Sequence, residues 1–462
     1  MDVSSLACKI KRKRSNERDD ACSCKRSLND LPDAMLKLIL SLLKTKCAVR
    51  TSVLCKRWQY MWTSLPNLDF NDRERMVQEQ GASSEKRKLF MDFVDRVLIF
   101  HDAPKIHKFT LSCGASDDMS HMIHIRRWIS AAVRLKPQEV NIVIYNARVS
   151  DQRLLPYCLF SCEATEVMGL QGDFRLILPS RTCLPHLRIL ILSGLTFKDH
   201  RPLNLLFGGP ALEELVMQDC EWEGGKSEVN ISAPKLKKLT IEETHELYRP
   251  TEHASKSVTI SSPEVEIFHY EGGLLKSYHF HCPSSITDAT LESHDCLPIE
   301  DLHIDHLSEV LTALQSVECL QLGSYFVKAL THASVPVFKN LIRLDLSEDQ
   351  VDLSSKELEK MLNQCPRLET LTFLGGISTD YCARRLLSSN LTCLSSTLKR
   401  ISISYFNGNT SELFAVQFLL WKGTCLEKMD IYCYEGGDAP KEIGLFLSAC
   451  HRSSETCELY VG

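Results

Sequence analysis

Apolar residues recur along most of the chain in an L-x-x-L-x-L pattern, often just after a Pro-x pair. The second and third apolar residues of each copy are two positions apart, so they point to one side of a β-strand and their neighbours point to the other. Each copy therefore predicts a short strand with one buried face. The clearest copies are Leu187/Leu190/Leu192, Leu212/Leu215/Met217, Leu236/Leu239/Ile241, Val317/Leu320/Leu322, Leu341/Leu344/Leu346, Leu368/Leu371/Phe373, Leu398/Ile401/Ile403 and Leu426/Met429/Ile431. Weaker copies are Ile106/Phe109/Leu111, Val140/Val143/Tyr145 and Val265/Phe268/Tyr270.

The spacing of these copies indicates leucine-rich repeats. From Leu187 to Val265 the starts are 25, 24 and 29 residues apart, and from Val317 onward they are 24, 27, 30 and 28 apart. Periods of about 20–29 residues are typical of this repeat class. The gap of 52 residues between Val265 and Val317 leaves room for one degenerate copy near 286–291. One copy continues to Cys220 and Trp222, as the Cys-type ending of the repeat requires.

Stacked repeats predict an α/β solenoid whose parallel sheet forms a horseshoe, because no single repeat can bury its apolar face alone. About a dozen strands spaced by roughly 4.8 Å would span on the order of 55 Å. A concave face of that length suits a protein ligand better than a small metabolite. Its outward residues include Ile189 and Ile191, Glu214 and Val216, Lys238 and Thr240, Arg343 and Asp345, and Thr370 and Thr372.

Residues 28–70 have a helical pattern instead. Pro32 suits the first position of a helix, and apolar residues follow it at helical spacing as far as Leu43. A second short helix is expected over about 47–54. A third, expected to carry Trp58, Met61, Trp62 and Leu65, would end at Pro66. Three short helices bury little core, and this segment has more large apolar residues than such a core needs. We therefore expect a partner to cover part of its apolar surface.

These residues closely resemble the F-box motif, and the chain as a whole resembles plant F-box/LRR/FBD proteins. The motif is carried by Leu31-Pro32-Asp33, Ile39-Leu40-Ser41, Ala48 to Leu54, Lys56-Arg57-Trp58, Trp62 and Leu65 to Phe70. The resemblance implies that the segment docks on the S-phase-kinase-associated adaptor of a cullin ubiquitin ligase. Trp58 and Trp62 are then expected to be anchors, since aromatic residues dominate interface energetics. The docking surface or its immediate support is expected to comprise Leu31, Pro32, Leu36, Ile39, Leu40, Leu43, Val49, Leu54, Trp58 and Trp62.

The remaining segments complete the expected organisation. Amphipathic helices are predicted over about 89–98 and 121–135. Residues 391–462 resemble the FBD region, with two repeat-like strands around a helix from about Ser411 to Trp421, and would cap the open end of the array. The expected divisions are a disordered basic tail (1–27), the F-box (28–70), a linker and helix (71–105), the repeats (106–390) and the FBD-like cap (391–462).

Composition and charge narrow the function classes. Apolar residues make up 44% of the 462 residues and charged residues 24%, which is ordinary globular composition. Residues 1–29 carry a net charge of +4, so the net charge of −5 leaves the remainder at −9, which argues against a broad nucleic-acid surface. No apolar run approaches the roughly 20 residues of a membrane span, and no secretory signal is expected. The 20 scattered cysteines include no Cys-x-x-Cys pair, which favours a reducing compartment.

The tail carries two basic clusters separated by ten residues. They resemble a bipartite nuclear import signal, and a solvated charged tail is the equally weighted alternative. We therefore expect the protein in the nucleus, the cytoplasm or both. The residues are Lys11, Arg12, Lys13, Arg14, Lys25 and Arg26.

Motifs of catalysis are missing from the sequence. There is no Gly-rich phosphate loop ending in Lys-Ser/Thr and no G-x-S-x-G elbow. The run His279-Phe280-His281-Cys282 offers three metal ligands without a nearby fourth, so no metal or cofactor is expected. The resemblance implies a non-catalytic substrate adaptor of a ubiquitin ligase whose repeats bind a target protein. The alternative is a leucine-rich-repeat scaffold with no link to ubiquitin.

Overall fold

The computed structural model of the chain describes residues 28–72, 84–114, 119–145, 155–197, 201–222, 228–243, 257–274, 276–293, 304–347, 349–379, 391–434 and 440–462. The basic clusters of the tail lie outside these residues. The described part forms a helical N-terminal segment followed by a long parallel sheet. Helices and turns connect the strands of this sheet. The segment and the sheet share one continuous apolar core that extends from Leu36 to Cys457.

The N-terminal segment has two α-helices, α1 (Asp33–Ser41) and α2 (Thr45–Arg50). Short 3-10 turns cover Leu28–Asp30, Thr51–Val53 and Met61–Ser64. The predicted third helix is therefore wrong in length, because a single 3-10 turn replaces it. Leu65 is already extended at φ −63° and ψ 134°, as a residue before proline must be, so the turn cannot continue past Pro66.

The main sheet has sixteen strands among the described residues, and its strands pair in parallel. Its strands are β1 Asn67–Asn71, β2 Lys108–Gly114, β3 Glu139–Tyr145, β4 Val167–Leu176, β5 Ile189–Phe197, β6 Glu214–Gln218, β7 Glu221–Trp222, β9 Lys238–Glu242, β11 Ile267–Glu271, β13 Asp288–Glu292, β14 Cys319–Gly323, β15 Arg343–Ser347, β17 Thr370–Phe373, β19 Arg400–Phe406, β20 Lys428–Cys433 and β21 Glu458–Val461. Fifteen of them follow the order β1-β2-β3-β4-β5-β6-β9-β11-β13-β14-β15-β17-β19-β20-β21, and β7 pairs with β5.

Two small parallel sheets lie beside it, made of β8 (Glu228–Ile231), β10 (Ser257–Ile260) and β12 (Ser277–Phe280), and of β16 (Val351–Asp352) and β18 (Ile377–Ser378). The helices of the repeats connect successive strands. They are α3 Ser84–Phe100, α4 Met119–Arg134, α5 Arg201–Phe207, α6 Ile304–Ala313, α7 Ser324–Ala329, α8 Lys356–Asn363, α9 Thr392–Ser396, α10 Thr410–Lys422 and α11 Pro440–Ser448.

The register confirms the reading of the repeat except for the copy Val140/Val143/Tyr145. There Val140 and Ile142 pair with Phe109 and Leu111 and are buried, whereas Val143 and Tyr145 lie half-buried on the other side of β3. Equivalent positions pair across neighbouring strands, for example Leu190 with Leu215 and Leu215 with Leu239, and all three are fully buried. Strand β13 occupies the place of the degenerate copy. Strand β4 belongs to a repeat that the pattern missed, because Thr165 replaces its first apolar residue. Thr165 is fully buried, and its hydroxyl donates to the carbonyl of Pro137 at 3.1 Å, so the position tolerates a polar residue.

The end of the F-box-like segment forms β1, the first strand of the main sheet. Residues Asn67–Asn71 pair in parallel with Lys108–Ser112 of β2. The helical segment is therefore continuous with the first repeat instead of being joined to it by a free linker. At the other end, α10 separates β19 from β20, and its N-terminus has a capping box formed by Asn409 and Glu412.

The fifteen cysteines among the described residues are all free thiols. Within the same residues, none of the helices has the length and apolarity needed to cross a bilayer.

Candidate adaptor-docking surface and concave face

Helix α1 is apolar on both faces. Leu36 and Leu40 point into the core and are fully buried. Met35, Leu38 and Leu42 lie on the opposite side and are exposed, Leu42 to 80%. A helix on the surface of a globular protein normally has one apolar stripe, so the second stripe is available for another polypeptide.

Apolar residues from the following turns extend this exposed area. Val53, at the end of the turn after α2, is 86% exposed, and Leu54 beside it is exposed as well. We define the docking surface as the eight large apolar residues of this segment that remain exposed. They are Leu28, Met35, Leu38, Leu42, Leu43, Val53, Leu54 and Tyr60. Such a concentration within 33 residues is typical of an interaction site.

The structure separates the ten residues expected to form or support this surface. Pro32, Leu43 and Leu54 are exposed, and Leu31, Ile39 and Val49 are half-buried. The other four lie in the core of the segment, namely Leu36, Leu40, Trp58 and Trp62.

The two tryptophans that were expected to be anchors are buried in the segment. Trp58 is 4% exposed and Trp62 is 9% exposed. The indole Nε1 of Trp62 donates to the carbonyl of Gln59 at 3.0 Å, which holds the ring inside the segment. Both rings support the surface from below. Sequence reasoning missed Met35, Leu38, Leu42 and Val53, although the i, i+3, i+7 spacing of the first three on the far face of α1 was a readable signal.

Polar contacts hold the segment in a defined shape. Arg57 Nε donates to Asp33 Oδ1 at 2.9 Å, and Arg57 Nη2 donates to the carbonyl of Leu31 at 2.6 Å. These bonds connect the Leu-Pro-Asp start of the motif with its Lys-Arg-Trp part. The backbone N–H of Asp69 in β1 donates to Thr45 Oγ1 at 2.7 Å, which ties α2 to the sheet. The docking surface is thereby fixed relative to the repeats.

Several charged residues on the solvent-facing side of the main sheet, here called the concave face, form ion pairs with one another. Examples are Lys238 with Glu214 at 2.8 Å and Arg343 with Asp345 at 2.8 Å. The outward residues of β4, β5 and β6 differ, because several are aliphatic. We define the concave apolar patch as Val167, Ile189, Ile191 and Val216, which are half-buried and lie in register across the three strands.

A row of acidic residues follows the concave apolar patch toward the C-terminus. Glu242, Glu271 and Glu292 pair in register on β9, β11 and β13. The amides of Gln218 and Gln321 donate to Glu242 and Glu292 at 2.8 Å and 2.6 Å.

Metal-ligating groups come together at one place on this row. Glu242, His269 and Glu271 have donor atoms within 4.8 Å of one another, and these are three ligands where a zinc site normally has four. The sequence run that offered three ligands does not form such a cluster. His279, His281 and Cys282 are exposed at the end of β12, in the small sheet.

A buried polar cluster lies beneath this part of the sheet. Glu243 and Lys276 are both almost fully buried, with Nζ 2.7 Å from Oε1. The hydroxyls of Tyr278 and Tyr270 donate to the same carboxylate, each at 2.7 Å. Burial opposes ionisation of Glu243, but the Lys276 ammonium and the three hydrogen bonds outweigh it and hold the pKa of the carboxyl below its ordinary value. Because the two charges of the cluster pair with each other, we interpret the cluster as a structural connection between the main sheet and β12.

Comparisons with known proteins agree with the geometry. The F-box domain model matches residues 28–70. The model described as "FBD-associated F-box protein At5g56370, LRR repeats" matches residues 125–290 and 295–427. No enzyme family is indicated by these matches.

Curated relatives from Arabidopsis thaliana are similar over nearly the whole chain. "Putative F-box/FBD/LRR-repeat protein At3g59240" is 28% identical over 441 residues, which cover 90% of this chain and 84% of the relative. "Putative F-box/LRR-repeat protein At3g59230" is 30% identical over 444 residues, covering 88% of each chain. "F-box protein At3g59000" is 30% identical over 455 residues, covering 91% of this chain and 89% of the relative. The chain therefore belongs to the FBD-associated F-box/leucine-rich-repeat family.

Proposed function

We propose that this protein is a substrate-recognition subunit of a cullin-type ubiquitin ligase. Its F-box would dock on the S-phase-kinase-associated adaptor, and its repeats would bind a target protein. The observation that carries the proposal is the docking surface, since α1 has an apolar face that the described residues leave exposed.

The contribution of this chain to ubiquitination would be proximity. A bound target and the adaptor would be held on one rigid body, because β1 makes the F-box segment part of the sheet. Tethering raises the local concentration of the target lysines near a charged ubiquitin-conjugating enzyme. Side chains of this chain would form no covalent intermediate.

The docking half of the proposal is tested with Leu42→Ser/Val53→Ser. Both side chains are exposed, so the fold should be retained. Burial of a Leu or Val side chain contributes about 1.5–3 kcal/mol, so losing two should weaken adaptor binding by roughly 100-fold or more. Ile99→Ser/Leu445→Ser removes two apolar side chains elsewhere that are also largely exposed, and it should leave binding unchanged. Full adaptor binding by the folded Leu42/Val53 variant would reject the docking assignment.

The target-binding half is tested on the concave apolar patch. Ile191→Glu/Val216→Glu places two charges where a target would bury apolar area. Affinity capture from plant extract should then retain the adaptor and lose the targets. Capture of the targets by the wild type in the absence of both adaptor and cullin would favour the scaffold function without ubiquitin.

We also propose nuclear import through the two basic clusters of the tail. The proposal is supported by their charge and spacing alone. A fluorescent reporter fused to residues 1–29 should enter the nucleus, and a variant with Lys11, Arg12, Lys13 and Arg14 changed to Gln should not. A wild-type fusion that stays cytosolic would contradict the signal.

A further inference from the structure

Helix α4 presents a basic face to solvent. Its buried stripe is made by Ile125, Trp128, Ile129 and Ala132. Helical spacing places Arg126, Arg127 and Arg134 on the opposite side, and all three are exposed. The apolar stripe of α4 belongs to the core, whereas the concave apolar patch lies on the solvent-facing side of β4, β5 and β6, so the arginines and the patch are on different surfaces.

The three arginines line a groove, which we name the arginine groove. It has a volume of about 440 Å³ and is bounded on its far side by Pro156. The wall is held in place partly by packing of the 3-10 turn Tyr157–Ser161 against α4, where Cys158 Sγ lies 3.7 Å from Ser130 Oγ. Apolar and small residues complete the lining, namely Ile123, Ala131 and Ser130. The groove therefore combines charge with apolar contact area.

The guanidinium groups of this groove are not neutralised by any carboxylate in the part of the chain that the structure describes. Among the described residues, no hydrogen bond or ion pair involves Arg126, Arg127 or Arg134. The nearby carboxylate of α3, Asp95, is committed elsewhere. It accepts a hydrogen bond from Trp128 Nε1 at 2.6 Å and lies 3.2 Å from His124 Nδ1. Each arginine thus retains its planar set of donors, which matches carboxylate geometry.

We propose that the arginine groove binds an acidic peptide segment of a partner protein, with an apolar side chain of that segment resting on Ile123 and Ala131. Charge complementarity argues for this occupant, because the three arginines have no ion-pair partner within the described ranges and the net charge of the chain is negative. A nucleic acid fits less well. Arg126 and Arg134 are eight positions apart on the helix, about 12 Å at the usual rise of 1.5 Å, and the acidic body around them would repel a longer polyanion.

The test uses the purified full-length chain and fluorescence anisotropy. The probe is a fluorescein-labelled ten-residue peptide of alternating Glu, Leu and Asp. Its control has every acid replaced by the corresponding amide. The wild type should bind the acidic peptide saturably, with an affinity that falls as salt is raised, and should bind the amide peptide at least tenfold more weakly.

Substitutions locate the binding. Arg126→Gln/Arg127→Gln/Arg134→Gln should weaken it at least tenfold, with an unchanged thermal unfolding midpoint. The matched control, Arg96→Gln/Arg181→Gln/Arg367→Gln, removes three exposed arginines elsewhere and should change affinity less than twofold. Arg127→Glu/Arg134→Glu should lose the acidic peptide and gain a peptide with lysine in place of each acid.

Three results would overturn the proposal. One is the absence of saturable binding by the wild type. Another is an equal loss in both triple variants, which would assign binding to overall charge. The third is tighter binding of a ten-nucleotide single-stranded DNA with the same dependence on the three arginines, which would make the groove a nucleic-acid site. None of these readouts involves the ubiquitin-ligase adaptor or the concave face, so they are independent of the proposed function.

Discussion

Replacement of Lys276 by Met tests how the buried cluster connects the main sheet with β12. The substitution keeps most of the length of the side chain but removes the charge that lies 2.7 Å from Glu243. It also removes the ammonium that lies 4.3 Å from the centroid of the Trp222 ring. Breaking a buried ion pair by removing one partner costs about 3–5 kcal/mol, because the remaining charge is left in the core. We expect a loss of this size at pH 7.

The effect should depend on pH with a definite sign. In the wild type the pKa of Glu243 is lowered, so its stabilising contribution is present above the unfolded value of about 4.3 and is lost as the pH falls through the folded value. Without Lys276, burial would raise the pKa of Glu243 above the unfolded value. Folding of the variant would then take up a proton, and its deficit would shrink by up to about 1.4 kcal/mol for each pH unit lowered from 7 toward 5.

The assay is urea unfolding at pH 7 and pH 5, followed by circular dichroism and by amide hydrogen exchange of peptides that contain β9, β11 and β12. Lys238→Met is the matched control. It breaks a Lys–Glu pair of similar length, 2.8 Å, that is partly exposed, and such surface pairs contribute roughly 0–1 kcal/mol. Adding Glu243→Gln to Lys276→Met should recover part of the loss, since the amide carries no charge. Equal losses for Lys276→Met and Lys238→Met, or a deficit that does not change with pH, would refute the reasoning.

Three further predictions concern individual residues. Tyr405 lies in the irregular part of β19 with φ +51°, a left-handed conformation that strains a residue with a side chain, and its ring is exposed. Tyr405→Gly should therefore stabilise the chain by about 1 kcal/mol in urea unfolding. A destabilised variant would show that the ring contributes more to stability than the backbone strain costs. Glu412 is fully buried and accepts hydrogen bonds from the backbone N–H groups of Asn407, Gly408 and Asn409. Glu412→Ala should therefore lower the free energy of unfolding by at least about 3 kcal/mol and raise amide hydrogen exchange at the start of α10. A loss below about 1 kcal/mol would contradict this role. Burial raises the pKa of the Cys220 thiol to about 12 and that of Cys393 to about 11. Ellman's reagent at pH 8 should therefore label exposed Cys183 in the folded chain and should label Cys220 and Cys393 only in urea. Labelling of Cys220 at the rate of Cys183 without urea would show that the core opens.

Sequence periodicity predicted the repeats well because the buried positions of a strand are set locally. Leu190 and Leu192 must be apolar wherever the strand lies, so their spacing is visible in the chain. The pattern failed at Thr165. Its hydroxyl donates to the carbonyl of Pro137, which belongs to the preceding repeat, and this hydrogen bond makes a polar residue acceptable in the core. The pattern also failed for the third helix of the F-box, where Pro66 and the start of β1 took precedence over helical spacing.

The sequence by itself determined the class of the protein, the repeat period and the motif of the N-terminal segment, because these depend on which residues are apolar and at what spacing. The tertiary structure alone decided which apolar residues face outward. Trp58 and Leu38 are both large and apolar, yet the first is buried and the second is exposed. The pairing of Glu243 with Lys276 and the clustering of three arginines of α4 in one groove are likewise invisible in the sequence. Exposure and partnership depend on contacts between residues far apart in sequence, and only the packing of α1, β1 and the repeats brings those residues together.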